Sequence, residues 1–223
     1  MTSQDLITRV RVHYTKGNSL RFTGHLDLQR LWQRLLRRSR LPIRYSEGFH
    51  PRARINLASA LPLGFISEAE VLDFWMDEPR NTDEIQRSLS ATAPPGLEIQ
   101  SVYPVALSED ALQTQMQASE FEVFFYDPQD AETLQLKVDE ILAKETLIRT
   151  RRKKTYDLRP LILAITVILP EKNDVRLWMR LRAEPGSTGR PDEILDSLGF
   201  ENTDFLVKRT RLILNNFDAT QLR

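Results

Sequence analysis

The chain has 223 residues, no cysteine, 41% hydrophobic residues, and 31 basic side chains against 31 acidic ones. That length suits one large or two small globular domains, and the missing thiols exclude a disulfide framework, a thiolate zinc site and a protein-held iron–sulfur cluster. No run approaches the ~18 apolar residues that span a bilayer, and residues 1 to 20 lack a signal-peptide apolar core, so a cytoplasmic location without membrane contact is expected.

The zero net charge averages unlike segments. Residues 7–54 hold 12 basic and 2 acidic side chains, residues 55–148 hold 4 and 18, and residues 149–223 hold 15 and 10. Such segregation predicts a surface with a basic and an acidic side, or a mutual attraction between domains.

Ile7 to Lys16 alternates with period two, placing Val10, Val12 and Tyr14 on one face and Arg9, Arg11 and His13 on a polar, solvated one. Leu26 to Arg40 is helical, with Leu28, Leu31, Trp32, Leu35, Leu36 and Ser39 in one stripe and Arg30, Arg34, Arg37 and Arg38 on another face. Gly24 is the expected N-cap, with Asp27 taking up backbone N–H groups, and Pro42 closes the helix. Strands follow at Arg54–Ser59 and Ala69–Met76, a helix at Thr82–Ala91 capped by Asn81 or Thr82, and a strand at Leu97–Tyr103. The order β-α-β-β-α-β is that of the ferredoxin-like unit.

The second half repeats this order without close sequence identity. Strands are predicted at Phe121–Tyr126, Leu158–Leu169, Val175–Arg182 and Phe205–Leu214, and helices at Ala131–Leu147 and Pro191–Leu198. The expectation is an α+β chain of two tandem ferredoxin-like (βαββαβ) domains, 1–104 and 119–223, joined by a connector over 105–118. Leu161 to Leu169 is apolar on both faces, which predicts cover on both, one of them from the first domain.

The arginine stripe 30, 34, 37 and 38 has no acid between Asp27 and Glu47. Like charges so close repel by a few tenths of a kcal/mol per pair, and phosphates of RNA are one natural compensation. Arg176, Trp178, Arg180 and Arg182 alternate out of their strand, a base-stacking platform or a tryptophan packed under guanidinium groups. The run Arg149 to Lys154 is a basic loop or hairpin arm. Within YSEGFHPRARINLASALPLG (45–64), Gly48 lets backbone approach closely, Pro51 stiffens the loop, and Arg52 and Arg54 supply donors for an anion; a plain structural hairpin is the alternative. His25 and His50 could serve as acid and base if they met. With three histidines in all, no metal site is expected.

The block RFTGHLDLQRLWQRLLRRSRLPIRYSEGFHPRARINLASALPLG resembles the radical SAM-linked protein family, a bacterial domain of unassigned function, as do KKTYDLRPLI (153–162), GRPDEIL (189–195) and VKRTRL (207–212). The family is found fused behind cobalamin-type radical SAM enzymes or as separate small proteins, which implies a partner rather than an activity. The resemblance singles out His25, Asp27, Tyr45, Ser46, Gly48, His50, Tyr156, Asp157 and Arg159 as a motif site. The chain departs from the family at Gly24, usually Ser, and at Arg52, where the usual Asn-Pro-His-Pro-Lys places a histidine. The tandem architecture is also like that of CRISPR-repeat-processing endoribonucleases, an analogy of fold alone.

The expected function is therefore a non-catalytic, cofactor-free RNA-binding module beside a radical SAM enzyme, with tRNA or rRNA as partner. The arginines 30, 34, 37, 38, 52, 54, 176 and 180, together with Trp178, would carry the RNA. Two other readings stay open: a metal-independent nuclease or transferase using His25, His50 or Tyr45, and a protein-docking domain without nucleic acid.

Overall fold

A computed structural model describes residues 7–170, 174–201 and 204–215. The chain divides into two compact units, Met1–Gln115 and Met116–Arg223. Both are mixed α+β, with four helices between them packed on antiparallel sheet.

The first unit runs β1 (Thr8–Lys16), α1 (His25–Arg38), β2 (Ile55–Leu57), β3 (Ile66–Met76), α2 (Thr82–Thr92) and β4 (Leu97–Val105). Its strands lie in the order β4-β1-β3-β2, every neighbour antiparallel. One face of β1 supplies Val10, Val12 and Tyr14 to a core shared with Leu28, Trp32, Leu35 and Leu36 of α1 and Ile85 and Leu89 of α2. Tyr14 and Trp32 meet edge to face at 4.8 Å, an arrangement that adds to what burial alone contributes. Asn81 caps α2, its side chain accepting from the Asp83 N–H at 2.8 Å. Gly24 caps α1 without a side-chain bond, and Asp27 departs from its expected role: its carboxylate accepts from Arg30 at 3.1 Å instead of from the backbone.

The second unit runs β5 (Met116–Phe125), α3 (Ala131–Ala143), β6 (Ile148–Arg151), β7 (Lys154–Asp157), β8 (Ile162–Ile168), β9 (Arg176–Glu184), β10 (Ser187–Thr188), α4 (Pro191–Ser197) and β11 (Phe205–Leu214). Within it the order is β11-β5-β9-β8, again antiparallel, with β10 folded back on β9. The pair β6–β7 forms a separate two-stranded ribbon.

Three expectations are corrected here. The third helix stops at Ala143, not Leu147, because Lys144 turns extended and Leu147 serves the ribbon. The Leu147 N–H donates to Asp157 at 2.7 Å and its carbonyl accepts from Leu158 at 2.8 Å. Pro160 opens a short 3-10 turn, Arg159–Leu161, so β8 starts only at Ile162. Cover on both faces of β8 is also absent: Ile162 and Ile165 are buried, but Leu163 is 45% exposed and Leu169 60%.

Candidate functional site

On α1 the apolar stripe is buried and the arginine stripe faces solvent: Arg30, Arg34, Arg37 and Arg38 are all exposed. Arg30 is paired with Asp27. Arg34, Arg37 and Arg38 have no hydrogen-bond or ion-pair partner among the described residues. Arg37 and Arg38 lie in the last turn, where the helix dipole favours cations. Arg40 then closes the helix with φ 59, a left-handed conformation usually given to glycine.

Residues 44–54 form a narrow hairpin beside the end of β3. Arg54 donates its N–H to the Arg44 carbonyl at 2.9 Å, Ser46 to that of Arg52 at 2.8 Å, and the Ser46 hydroxyl accepts from the Arg52 N–H at 3.1 Å. Its base is tied to β3 by Arg44 N–H to the Trp75 carbonyl, 2.8 Å, and by Arg44 to Asp77, also 2.8 Å. The Arg54 guanidinium stacks on Trp75 at 4.4 Å, so that side chain is engaged. The tip is open: Glu47, Gly48 (φ 123), Phe49, His50, Pro51 and Arg52 are exposed, as is Tyr45. No hydrogen bond or ion pair joins His25 or Asp27 to this hairpin, or His25 to His50, among the described residues.

The basic row on β9 is matched acid for acid. Arg176 pairs with Asp174 and Glu122 and stacks on Phe124 at 4.5 Å. Arg180 gives two nitrogens to Glu120 at 2.9 and 2.7 Å and lies over Trp178 at 5.4 Å. Arg182 bonds Glu184 at 2.7 Å. The half-buried Trp178 therefore sits under a neutralised guanidinium, and the row offers no unmatched positive charge.

A cluster that sequence reasoning placed in solvent lies buried on the other face of β1. Asp73 on β3, 0% exposed, accepts from Arg9 at 2.8 and 2.5 Å and from Arg11 at 2.8 and 3.0 Å. Arg9 also donates to the carbonyls of Glu109 and Asp110, at 2.6 and 2.9 Å, and Arg11 reaches the Glu109 carboxylate at 3.2 Å. This binds the segment after β4 to the sheet. His13 Nε2 is 2.9 Å from the Tyr103 hydroxyl. Burial, with Arg11 adding and Asp73 opposing, lowers the His13 pKa to about 4, so its neutral form prevails. The available signal was Asp73 itself, one acid inside the apolar run VLDFWM, which needs a cation opposite it.

The second unit carries an open groove of about 810 Å³ between the β6–β7 ribbon and the stretch entering α4. Arg151, Arg152, Lys154, Tyr156, Ser187 and Arg190 are among its lining. In the ribbon, Arg149 stands opposite Tyr156 and Arg151 opposite Lys154, so these four share a face. Arg149 pairs with Glu193 and Asp196, Arg151 with Glu193, and Arg190 with Asp192. The ribbon turns through Arg152 and Lys153 at φ 48 and 67, a two-residue turn with both positions left-handed, normally made with Asn and Gly. Gly189 fits because a Cβ there would lie 3.0 Å from the Leu161 carbonyl.

Of the motif residues here, two are architectural. Asp157 Oδ1 accepts from the N–H groups of Leu147 and Arg159 at 2.7 and 3.0 Å. Arg159 donates to the Leu142 carbonyl at 3.0 Å, at the C-terminal end of α3, where a cation is favoured. Tyr156 and Asp157 both line the groove, and of the two only Tyr156 is not tied to the backbone; burial raises its pKa, with Glu193 adding to it, keeping the phenol protonated.

No helix is long and apolar enough to cross a membrane among the described residues. No curated protein matches the chain. Solved structures similar to it include a Cbf5-Nop10-Gar1 complex (TM-score 0.48), the archaeal box H/ACA sRNP Nop10-Cbf5 complex (0.45) and an H/ACA RNP bound to a substrate RNA containing 2'-deoxyuridine (0.44). Each is 9% identical and covers 92% of this chain, which spans about half the length of the chains it matches, 48%, 48% and 47% in that order. A family model matches residues 9–191, from β1 through the α1 arginines, the 44–54 hairpin and the groove ribbon to the first residue of α4, and the chain belongs to that family, described as an uncharacterized protein conserved in bacteria (DUF2344).

Proposed function

We propose that the chain is a non-catalytic RNA-binding module that works beside a radical SAM enzyme in tRNA or rRNA modification or processing. The observation that carries the RNA reading is the row Arg34, Arg37 and Arg38, three exposed cations on one rigid helix with no acid beside them. A polyanion neutralises such a row and gains counterion release, so affinity falls steeply with salt. In this reading Arg30 and the exposed hairpin-tip residues His50 and Arg52 of the same unit also meet the RNA, together with His25, Asp27 and Tyr45. The orders β4-β1-β3-β2 and β11-β5-β9-β8 support two ferredoxin-like domains in tandem, 1–104 and 119–223, joined by 105–118. The radical SAM partner rests on the sequence resemblance, and a cytoplasmic setting on the sequence's lack of a membrane-length apolar run or signal-peptide core. A chain without cysteine depends on a partner for any thiolate-held cluster.

The test is R34Q/R37Q/R38Q against single-stranded RNA across a salt series. Affinity is expected to fall for every sequence, and the log–log salt slope to flatten by about two, at roughly 0.7 for each phosphate no longer neutralised. Unchanged affinity and slope would overturn the reading.

A further inference from the structure

We infer that the groove of the second unit binds a nucleoside phosphate, either free or as the terminal residue of an RNA strand. The inference does not rest on the α1 arginines, which belong to the other unit. Four groove-lining cations, Arg151, Arg152, Lys154 and Arg190, divide into two kinds. Arg151 and Arg190 are held by carboxylates from the start of α4, Glu193 at 3.3 Å and Asp192 at 3.0 Å. Arg152 and Lys154 have no ion-pair or hydrogen-bond partner for their side chains among the described residues. Two unmatched cations on one groove wall leave a place for an anion with several acceptor oxygens, and phosphate meets guanidinium and ammonium together.

The lining beyond the cations distinguishes a nucleotide from a bare anion. The Tyr156 ring, Pro160 and Leu161 form an apolar stretch beside the cations, and Ser187 adds a hydroxyl, whereas the hydroxyls of Thr155 and Thr188 are engaged with the Thr150 hydroxyl and the Glu184 carbonyl. A base can stack on the aromatic ring while the Ser187 hydroxyl meets a ribose or phosphate oxygen. Asp157 is the one acid in the lining, and its Oδ1 is already bound by two backbone N–H groups. The volume of about 810 Å³ lies within the range of small-molecule sites, about 300–1,000 Å³. The wall is also held in an uncommon backbone: Arg152 and Lys153 both occupy the left-handed region, which long side chains rarely adopt. Strain of this kind collects at functional sites.

The experiment is calorimetric titration of the full chain with each of the four nucleoside 5'-monophosphates, with the matching nucleosides, and with inorganic phosphate. At least one monophosphate is expected to bind, and its nucleoside and inorganic phosphate at least tenfold more weakly. R152Q/K154Q is expected to weaken the monophosphate tenfold or more, and Tyr156→Leu to weaken it roughly tenfold while leaving inorganic phosphate unchanged. Circular dichroism and the melting temperature of each variant confirm folding. If Tyr156→Leu does not fold, Pro160→Asp, which puts a charge on the apolar stretch, takes its place. No binding of any monophosphate, equal binding of phosphate and monophosphate, or an unaffected R152Q/K154Q would each overturn the inference. A short RNA carrying a terminal phosphate, compared with the same strand ending in a hydroxyl, separates the sources. Preference for the phosphorylated strand over the free nucleotide assigns the strand end, and equal binding assigns the free nucleotide. Because R34Q/R37Q/R38Q leaves monophosphate binding untouched in this account, failure here and failure of the RNA reading are told apart.

Discussion

His13 sets a pH window on the stability of the first unit. The ring is 9% exposed, on the β1 face that also carries Arg9 and Arg11, and it is hydrogen-bonded to Tyr103. Its pKa in the folded chain is about 4, against about 6.5 in an unfolded one. The folded value is the lower one, so on acidification the unfolded chain takes up the proton first. Stability is therefore intact above pH 6.5 and is lost progressively as pH falls from 6.5 toward 4. At about 1.4 kcal/mol per pH unit, the loss attributable to His13 is about 2 kcal/mol at pH 5 and about 3 kcal/mol at pH 4.

The assay is urea unfolding at pH 7.5 and pH 5, followed by tryptophan fluorescence, with His13→Gln as the comparison because glutamine can keep a bond to the Tyr103 hydroxyl. Trp32 and Trp75 are both buried in the first unit, and Trp178 alone reports the second. The wild-type chain is expected to lose about 2 kcal/mol more than the variant between the two pH values, a midpoint difference of about 1 M urea at a slope near 2 kcal/mol/M. The carboxylates are the same in both proteins, so their contributions cancel in the difference. Parallel losses in the two proteins would show that His13 is not held neutral by its burial.

Two further outcomes concern the same unit. Asp73→Asn leaves Arg9 and Arg11 buried opposite a neutral amide and is expected to cost about 3–5 kcal/mol in urea unfolding; a loss under about 1 kcal/mol would refute the buried pairing. Arg40→Gly relieves a left-handed residue at φ 59 and is expected to stabilise by roughly 1 kcal/mol, seen as a higher melting temperature, whereas no change would mean the strain is not present.

The parts of this architecture that were legible in the sequence are those set by local periodicity. The α1 stripe of Leu28, Trp32, Leu35 and Leu36 is buried as its spacing requires, and β11 spans the expected Phe205–Leu214. What was hidden depends on which strands become neighbours. Alternation placed Arg9, Arg11 and His13 on a polar face and polarity suggested water, but β3 brings Asp73 directly opposite Arg11 across 62 residues. The acids that meet the β9 row were hidden for the same reason. Glu120 lies opposite Arg180 and Glu122 opposite Trp178, and these acids alternate along β5 with the same period as the arginines they meet. The start of β5 was missed because Met116, Ala118 and Ser119 are too mixed to look like a strand, although all three are buried. For the candidate site, the resemblance named Tyr156, Asp157 and Arg159 together, and geometry separates them: Tyr156 and Asp157 line the groove, while Asp157 and Arg159 hold the backbone.

These pairings change what the overall neutrality of the chain means. The 31 acids do not dilute the 31 bases evenly. Sheet arginines hold acids of their own: Arg9 and Arg11 share Asp73, Arg176 has Asp174, Arg180 has Glu120 and Arg182 has Glu184. A carboxylate already locked to a guanidinium contributes little field at a distance, since the pair is a dipole. What remains outside such pairs on α1 is Arg34, Arg37 and Arg38, and on the ribbon turn Arg152, Lys153 and Lys154. Asp83 and Glu84 in the first turn of α2 are exposed acids of the same unit. A chain whose charges are segregated in this way can attract a polyanion to one helix although its net charge is zero, and the attraction is screened over about 10 Å at 0.1 M salt. The isoelectric point, near 6.9, averages over both signs of charge and gives no guide to such binding. The salt dependence of binding, read separately for α1 and ribbon variants, measures each of the two basic clusters directly.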